Sequence, residues 1–260
     1  MIRGKVPDFV HDGKGDVSSQ FEEIDRRITP LGEISVRRRL EPTLLVDVYE
    51  VKLGDEFLMS SLFTVAEVAL AKLALAKLSG DHLDVVVAGL GLGYTASAVA
   101  VDPRVRSLYV VEVLDAVIEW HEHQLLPLSA ELIANPRCHL VQGDFFAMIA
   151  SASRFSSEIP DPCHAVLVDI DHSPRHHLHP SHAAFYSGAG LQRVADHLRP
   201  GGVFAMWSDD PPDVEFVAVL EDVFVSCEAH VVTFPNFYTD GESSSTVYVA
   251  QQRESSAADQ

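Results

Sequence analysis

Residues 84–88 (Asp-Val-Val-Val-Ala) run directly into a turn with glycine at Gly89, Gly91 and Gly93, and that junction limits the fold more than any other feature. The five residues lack polar alternation, which predicts a strand buried on both faces, as in a parallel sheet covered by helices. A helix is predicted over 95–101. Strand, glycine turn and helix together bring backbone close to a ligand. Glycine leaves the approach unblocked and adopts dihedrals closed to other residues. The helix then offers its first, unpaired N–H groups to whatever sits at its start.

The alternation of strands and helices continues along the chain, which argues for a parallel sheet with crossover helices. Helices are expected over 62–78, 115–124, 144–150, 188–198 and 214–224, and strands over 107–113, 139–142, 165–169 and 203–207. Residues 228–234 and 245–250 suit a closing antiparallel pair. Ahead of this region Ile34 and Val36 alternate with polar neighbours, residues 44–53 are rich in Val and Leu, Gly54-Asp55 signals a turn, and Phe57 starts a short strand. These features read as a small antiparallel β unit. The expected organisation is a flexible N-terminus over 1–20, the β unit over 21–61, a Rossmann-like domain over 62–251 and a disordered tail over 252–260.

The spacing of the glycines selects among ligands. A dinucleotide turn reads GxGxxG. Here the sixth position is Tyr94, so the third glycine falls one place early and a pyrophosphate cradle is disfavoured. GxGxG is the common form in S-adenosylmethionine domains. Glu112 ends the second strand, 19 residues after Gly93, where a carboxylate accepts hydrogen bonds from ribose hydroxyls. Asp144 follows the third strand, where a carboxylate accepts from an adenine amino group. With their chain neighbours Val113 and Phe145, these residues and Gly89, Gly91 and Gly93 form the expected cofactor-binding set.

Chemistry in an open α/β sheet belongs beyond the carboxyl ends of the strands. Asp169 and Asp171 lie at the end of the fourth strand, and Asp209 and Asp210 at the end of the fifth. Like charges brought together raise one another's pKa, so one of them suits a general base for an attacking amine. Asp169 and Asp171 are the catalytic candidates. Asp209, Asp210 and Tyr186 are the candidates to hold a substrate. His172, His176, His177, His179 and His182 crowd the loop after the fourth strand, but their spacing matches no zinc signature and no metal is expected. A mobile lid is the expectation for that loop.

Charge and cysteines bound the partners. The 260-residue chain carries 38 acidic and 19 basic residues, a formal net charge of −19. Such a surface repels nucleic acid and anionic membranes and attracts cations. Cys138, Cys163 and Cys227 are isolated, which excludes a disulfide framework and fits a reducing cytoplasm. Residues 1–15 have no apolar core of signal-peptide length. The most apolar run, 62–78, is broken by Glu67, Lys72 and Lys77 and reads as a buried helix, not a membrane span.

On the motifs around Gly89 to Tyr94, Val110-Val111-Glu112, Gln142-Gly143-Asp144, Leu167-Val168-Asp169-Ile170-Asp171 and Phe234-Pro235-Asn236-Phe237, the chain resembles the spermidine synthase (polyamine aminopropyltransferase) family over roughly residues 30–250. The resemblance implies a class I methyltransferase-type Rossmann fold behind a small N-terminal β unit, and a homodimer. It implies transfer of an aminopropyl group from decarboxylated S-adenosylmethionine to a small cationic amine. Glu112 would hold the ribose and Asp144 the adenine. The family's catalytic aspartate would fall at Asp171, or at Asp169 in the other register. Leu92 stands where the family's turn has an aspartate, and Asp55-Glu56 is followed by Phe57-Leu58-Met59. Two alternatives therefore stand beside aminopropyl transfer: a methyltransferase using intact S-adenosylmethionine, and a non-catalytic adenosyl-binding protein.

Overall fold

The computed structural model describes residues 21–151, 155 and 157–254, so the expected flexible stretch over 1–20 and the last residues of the expected tail lie outside the described residues. The chain divides into two compact units, Met1–Val65 and Ala66–Gln260.

The first unit is an antiparallel meander in the order β1 (Phe21–Thr29), β2 (Gly32–Glu41), β3 (Val46–Leu53) and β4 (Glu56–Ser60). Ile34, Val36, Val48 and Val51 are its buried apolar residues. The sequence reading missed β1, because its residues carry charge where apolar alternation was sought. Cross-strand pairing replaces that signal: Glu22 stands opposite Arg38 and is bonded to it, and Arg26 bridges to Glu33. In β3, Glu50 is buried and takes both Arg37 and Arg39.

The second unit is a seven-stranded sheet. Its strands are β5 (Leu83–Ala88), β6 (Val105–Glu112), β7 (Cys138–Gln142), β8 (Cys163–Val168), β9 (Leu198–Ser208), β10 (Ser226–Asn236) and β11 (Gly241–Gln251), in the spatial order β10-β11-β9-β8-β5-β6-β7. β5 to β9 pair in parallel, and β11 joins β9 antiparallel. Its helices are α1 (Val65–Ala76), α2 (Tyr94–Ala100), α3 (Asp115–Glu122), α4 (Ser129–Ala134), α5 (Phe145–Ala150), α6 (Gly188–Asp196) and α7 (Val214–Val223). This is the expected Rossmann-like arrangement. Every residue of β5 is buried, as its unbroken apolar pattern requires. Alternate residues Val86, Ala88, Val166, Val168, Phe204 and Met206 pack in one core with Phe145, Phe146, Leu191 and Phe216 from α5, α6 and α7. α2 packs on β5 and β6, and α3 on β6 and β7. Burying a large apolar side chain such as Trp120 or Phe204 stabilises by roughly 1.5–3 kcal/mol.

From β5 the chain first builds outward to β6 and β7, then returns to add β8 on the other side. The sheet's switch point therefore lies between β5 and β8, and the crevice beyond their carboxyl ends is the expected ligand site. No described helix is long and apolar enough to cross a membrane. Two residues of the expected tail are bonded to the sheet: Gln252 N–H donates to the Gly202 carbonyl, and Gly201 N–H to that of Arg253.

Candidate active site

At the switch point the glycine turn rests on the chain of the neighbouring strand. Asp169 N–H donates to the Ala88 carbonyl at 2.8 Å, and Gly89 N–H to the Val111 carbonyl at 2.9 Å. A Cβ on Gly89, whose φ is +96°, would collide with the Asp169 carbonyl, so no other residue fits. Gly93, φ +90°, closes the turn: its N–H donates to the Leu90 carbonyl, and its own carbonyl receives Ser97 N–H to start α2. Leu92 is buried at 2% exposure and supplies no charge to the turn.

Glu112 and its neighbours sit beside this turn. The Glu112 carboxylate is buried and accepts Leu90 N–H at 3.0 Å and Leu114 N–H at 2.9 Å. Burial pushes its pKa above the usual carboxylate range, while backbone N–H groups of Leu114, Leu90, Gly91 and Val113 pull it down. Glu112 thus latches the glycine turn to the chain leaving β6, and a ribose diol would share acceptor sites that N–H groups now fill. Val113 is exposed next to it. Asp144 caps α5 by accepting Ala147 N–H at 3.0 Å and is otherwise exposed. The Phe145 side chain is in the core, stacked on Phe155 and edge-on to Phe146, so only its backbone is left for a ligand.

The two aspartates after β8 have separate environments. Asp171 is buried and fully engaged, accepting Leu178 N–H at 2.8 Å, His182 Nδ1–H at 2.8 Å and the Tyr186 hydroxyl at 2.8 Å. It organises the loop after β8. Tyr186 is buried, so this proposed substrate contact is spent on Asp171. Two histidines of the loop are packed: His182 stacks on Phe146, His177 stacks on Tyr186, and the His177 Nε2–H donates to the Pro174 carbonyl, while His176 and His179 are exposed. Among the described residues no group of His, Cys, Asp and Glu is placed to hold a metal.

Asp169 is held differently. Its carboxyl accepts one hydrogen bond, from Thr95 Oγ1 at 2.6 Å, and burial pushes its pKa up to about 6. Glu67, in the first turn of α1, is pushed up to about 8 by burial, by the Asp169 charge and by Asp209. Asp209 is exposed and its N–H is fixed on the His172 carbonyl at 2.7 Å. Asp210 is exposed too; its charge bears on Tyr248 and its carbonyl accepts from the Thr246 hydroxyl. The acidic group at the crevice is therefore Glu67, Asp169 and Asp209. Sequence reasoning missed Glu67 and Thr95. Their signals were a lone carboxylate at the start of an apolar helix and a hydroxyl two places beyond Gly93.

No protein-family model matches the chain. Solved structures do resemble it. A spermidine synthase from Thermotoga maritima is 15% identical, with a TM-score of 0.67 over 90% of this chain and 73% of its own. A spermidine synthase in complex with the transition-state analogue AdoDATO is 16% identical, with a TM-score of 0.67 over 90% of this chain and 74% of its own. A probable spermidine synthase from Corynebacterium glutamicum is 15% identical, with a TM-score of 0.59 over 92% of this chain and 82% of its own. At these identities the likeness establishes the fold.

Proposed function

We propose that the chain is a transferase that moves an aminopropyl group from decarboxylated S-adenosylmethionine to a small cationic amine. The observation that carries this reading is the seating of the glycine turn on Asp169, whose carboxyl is bonded to Thr95 in the first turn of the helix that the same turn begins. A sulfonium held at that turn has a proton acceptor as its neighbour. The fold of an enzyme solved with AdoDATO supports the same choice of co-substrate.

The amine arrives as an ammonium ion, drawn by Asp169 and Asp209, with Glu67 adding its charge as pH rises toward 8. One proton passes to Asp169, whose raised pKa matches that task near neutral pH. The freed lone pair attacks the carbon next to the sulfonium. The C–N bond forms, the C–S bond breaks, and its electron pair returns to sulfur as a neutral thioether. Positioning and exclusion of water supply most of the acceleration in such a displacement. Glu112 and Asp144 hold the ribose and adenine in this reading, and Val113 and Phe145 line the adenosyl group through backbone. Cytoplasmic residence and a homodimer belong to the same proposal.

Thermal unfolding tests the co-substrate. S-adenosylmethionine, its decarboxylated form or methylthioadenosine at about ten times its Kd should raise Tm by roughly 3–6 °C. No shift with any of the three sinks the reading. Mass spectrometry of the product from decarboxylated S-adenosylmethionine with putrescine or spermidine then distinguishes chemistries. A gain of one aminopropyl group supports the proposal, and methylation from intact S-adenosylmethionine replaces it.

A further inference from the structure

His121 is fully buried near the end of α3, yet it is tied to the glycine turn. Its Nε2 lies 2.9 Å from the Gly91 carbonyl oxygen. A carbonyl only accepts, so Nε2 carries the hydrogen. Its Nδ1 lies 3.2 Å from Ser129 Oγ, which in turn takes Leu126 N–H at 3.3 Å. Burial lowers the histidine pKa and so favours the neutral imidazole. On that ring Nδ1 is an acceptor, and the Ser129 hydroxyl donates to it.

The ring also fills the volume beside the third glycine. A Cβ on Gly93 would lie 2.6 Å from Leu132 Cδ1 and 3.1 Å from His121 Cε1. Helices α3 and α4 thus press on the turn at two points, a hydrogen bond at Gly91 and a steric wall at Gly93. Gly91 has φ +46° and no side chain to hold its own conformation, so its peptide orientation is set from outside.

We propose that His121 is a positioning residue for the adenosyl site, oriented by Ser129 and acting through the Gly91 carbonyl to hold the glycine turn in its binding shape. The inference rests on the adenosyl reading of that turn. It assigns a ligand-binding consequence to a fully buried residue.

The test compares His121→Leu, His121→Gln and Ser129→Ala with the wild type, measuring Kd for S-adenosylmethionine and methylthioadenosine by calorimetry and KM for the amine. His121→Leu keeps the bulk and removes the donor, and should weaken adenosyl binding about tenfold, the equivalent of one net buried hydrogen bond. The amine KM should stay within about twofold, because His121 is bonded to Gly91 and not to the carboxylates proposed to draw the amine. Gln places an N–H donor near the Nε2 position and should restore binding to within about threefold of wild type. Ser129→Ala, which frees the ring orientation, should cost about threefold. Amide hydrogen exchange of residues 89–93 without ligand should speed up in His121→Leu and not in His121→Gln. Wild-type binding retained in His121→Leu overturns the inference alone, as does failure of Gln to rescue. If His121→Leu does not fold, Ser129→Ala decides, and unchanged affinity there overturns the inference. A wild type that binds no adenosyl compound overturns the adenosyl reading first, and the inference with it.

Discussion

Asp169→Asn is expected to lower turnover by about 100- to 10,000-fold, the range for loss of a general base, while adenosyl affinity stays within about threefold. Asparagine is isosteric, and its carbonyl oxygen still accepts the Thr95 hydroxyl. What disappears is the capacity to take a proton from the amine. Asp171→Asn should behave otherwise. Asp171 receives only donors, namely Leu178 N–H, His182 and the Tyr186 hydroxyl. An asparagine NH₂ there faces a donor and leaves a buried polar group unpaired, at a cost of about 1–3 kcal/mol. That variant should lose stability, with its remaining folded fraction turning over at a rate near wild type. Steady-state kinetics with active-site titration, together with thermal unfolding, separates the two. Unchanged turnover in Asp169→Asn would remove it from the chemistry. A specific loss of turnover in a fully stable Asp171→Asn would hand the role to Asp171.

The contrast between these two aspartates marks how far sequence reaches. The strand and helix alternation was legible because burial on both faces writes itself into an unbroken apolar run such as β5. The glycine turn was legible because its spacing is a backbone requirement that composition cannot disguise. β1 was not, since ion pairs such as Glu22 with Arg38 stand in for apolar alternation. α4 is brief and has no side-chain cap, and the short 3-10 turn at Pro180–Ala184 is capped by His179, not by the Ser, Thr, Asp or Asn that usually announces a helix. Within the site, sequence placed two carboxylates after β8, but which one is engaged depends on an imidazole eleven residues away and a hydroxyl fifteen away: His182 and Tyr186 return to Asp171 through the fold of the loop. Glu67 is the clearest case. It lies 102 positions before Asp169, and only the meeting of α1 with the carboxyl end of β8 makes them neighbours.

That meeting has a measurable signature in pH. Folding raises Glu67 from 4.5 to about 8 and Asp169 from 3.8 to about 6. An acid whose pKa is raised by folding binds its proton more tightly in the native state. Its contribution to stability is therefore complete below the unfolded pKa and is lost as pH rises through the folded one. For this pair the loss runs from about pH 4 to about pH 8. Wild-type Tm should fall across that window as the two carboxyls ionise against each other. Glu67→Gln removes the like-charge neighbour and the higher-titrating group. It should raise Tm at pH 8.5 by roughly 4–8 °C, corresponding to about 2 kcal/mol after allowance for solvent access, and leave Tm at pH 4 nearly unchanged. The Asp169 limb of the pH–rate profile should stay near pH 6, since burial and not Glu67 sets it, while any step near pH 8 should vanish with the Glu67 carboxyl. A cationic amine offers an independent check: putrescine should stabilise the wild type more at pH 8.5 than at pH 5, and stabilise Glu67→Gln less than wild type at the higher pH. Parallel Tm curves for the two proteins across the window would show that Glu67 and Asp169 do not share the crevice charge, and the ammonium-binding part of the proposed function would fall with them.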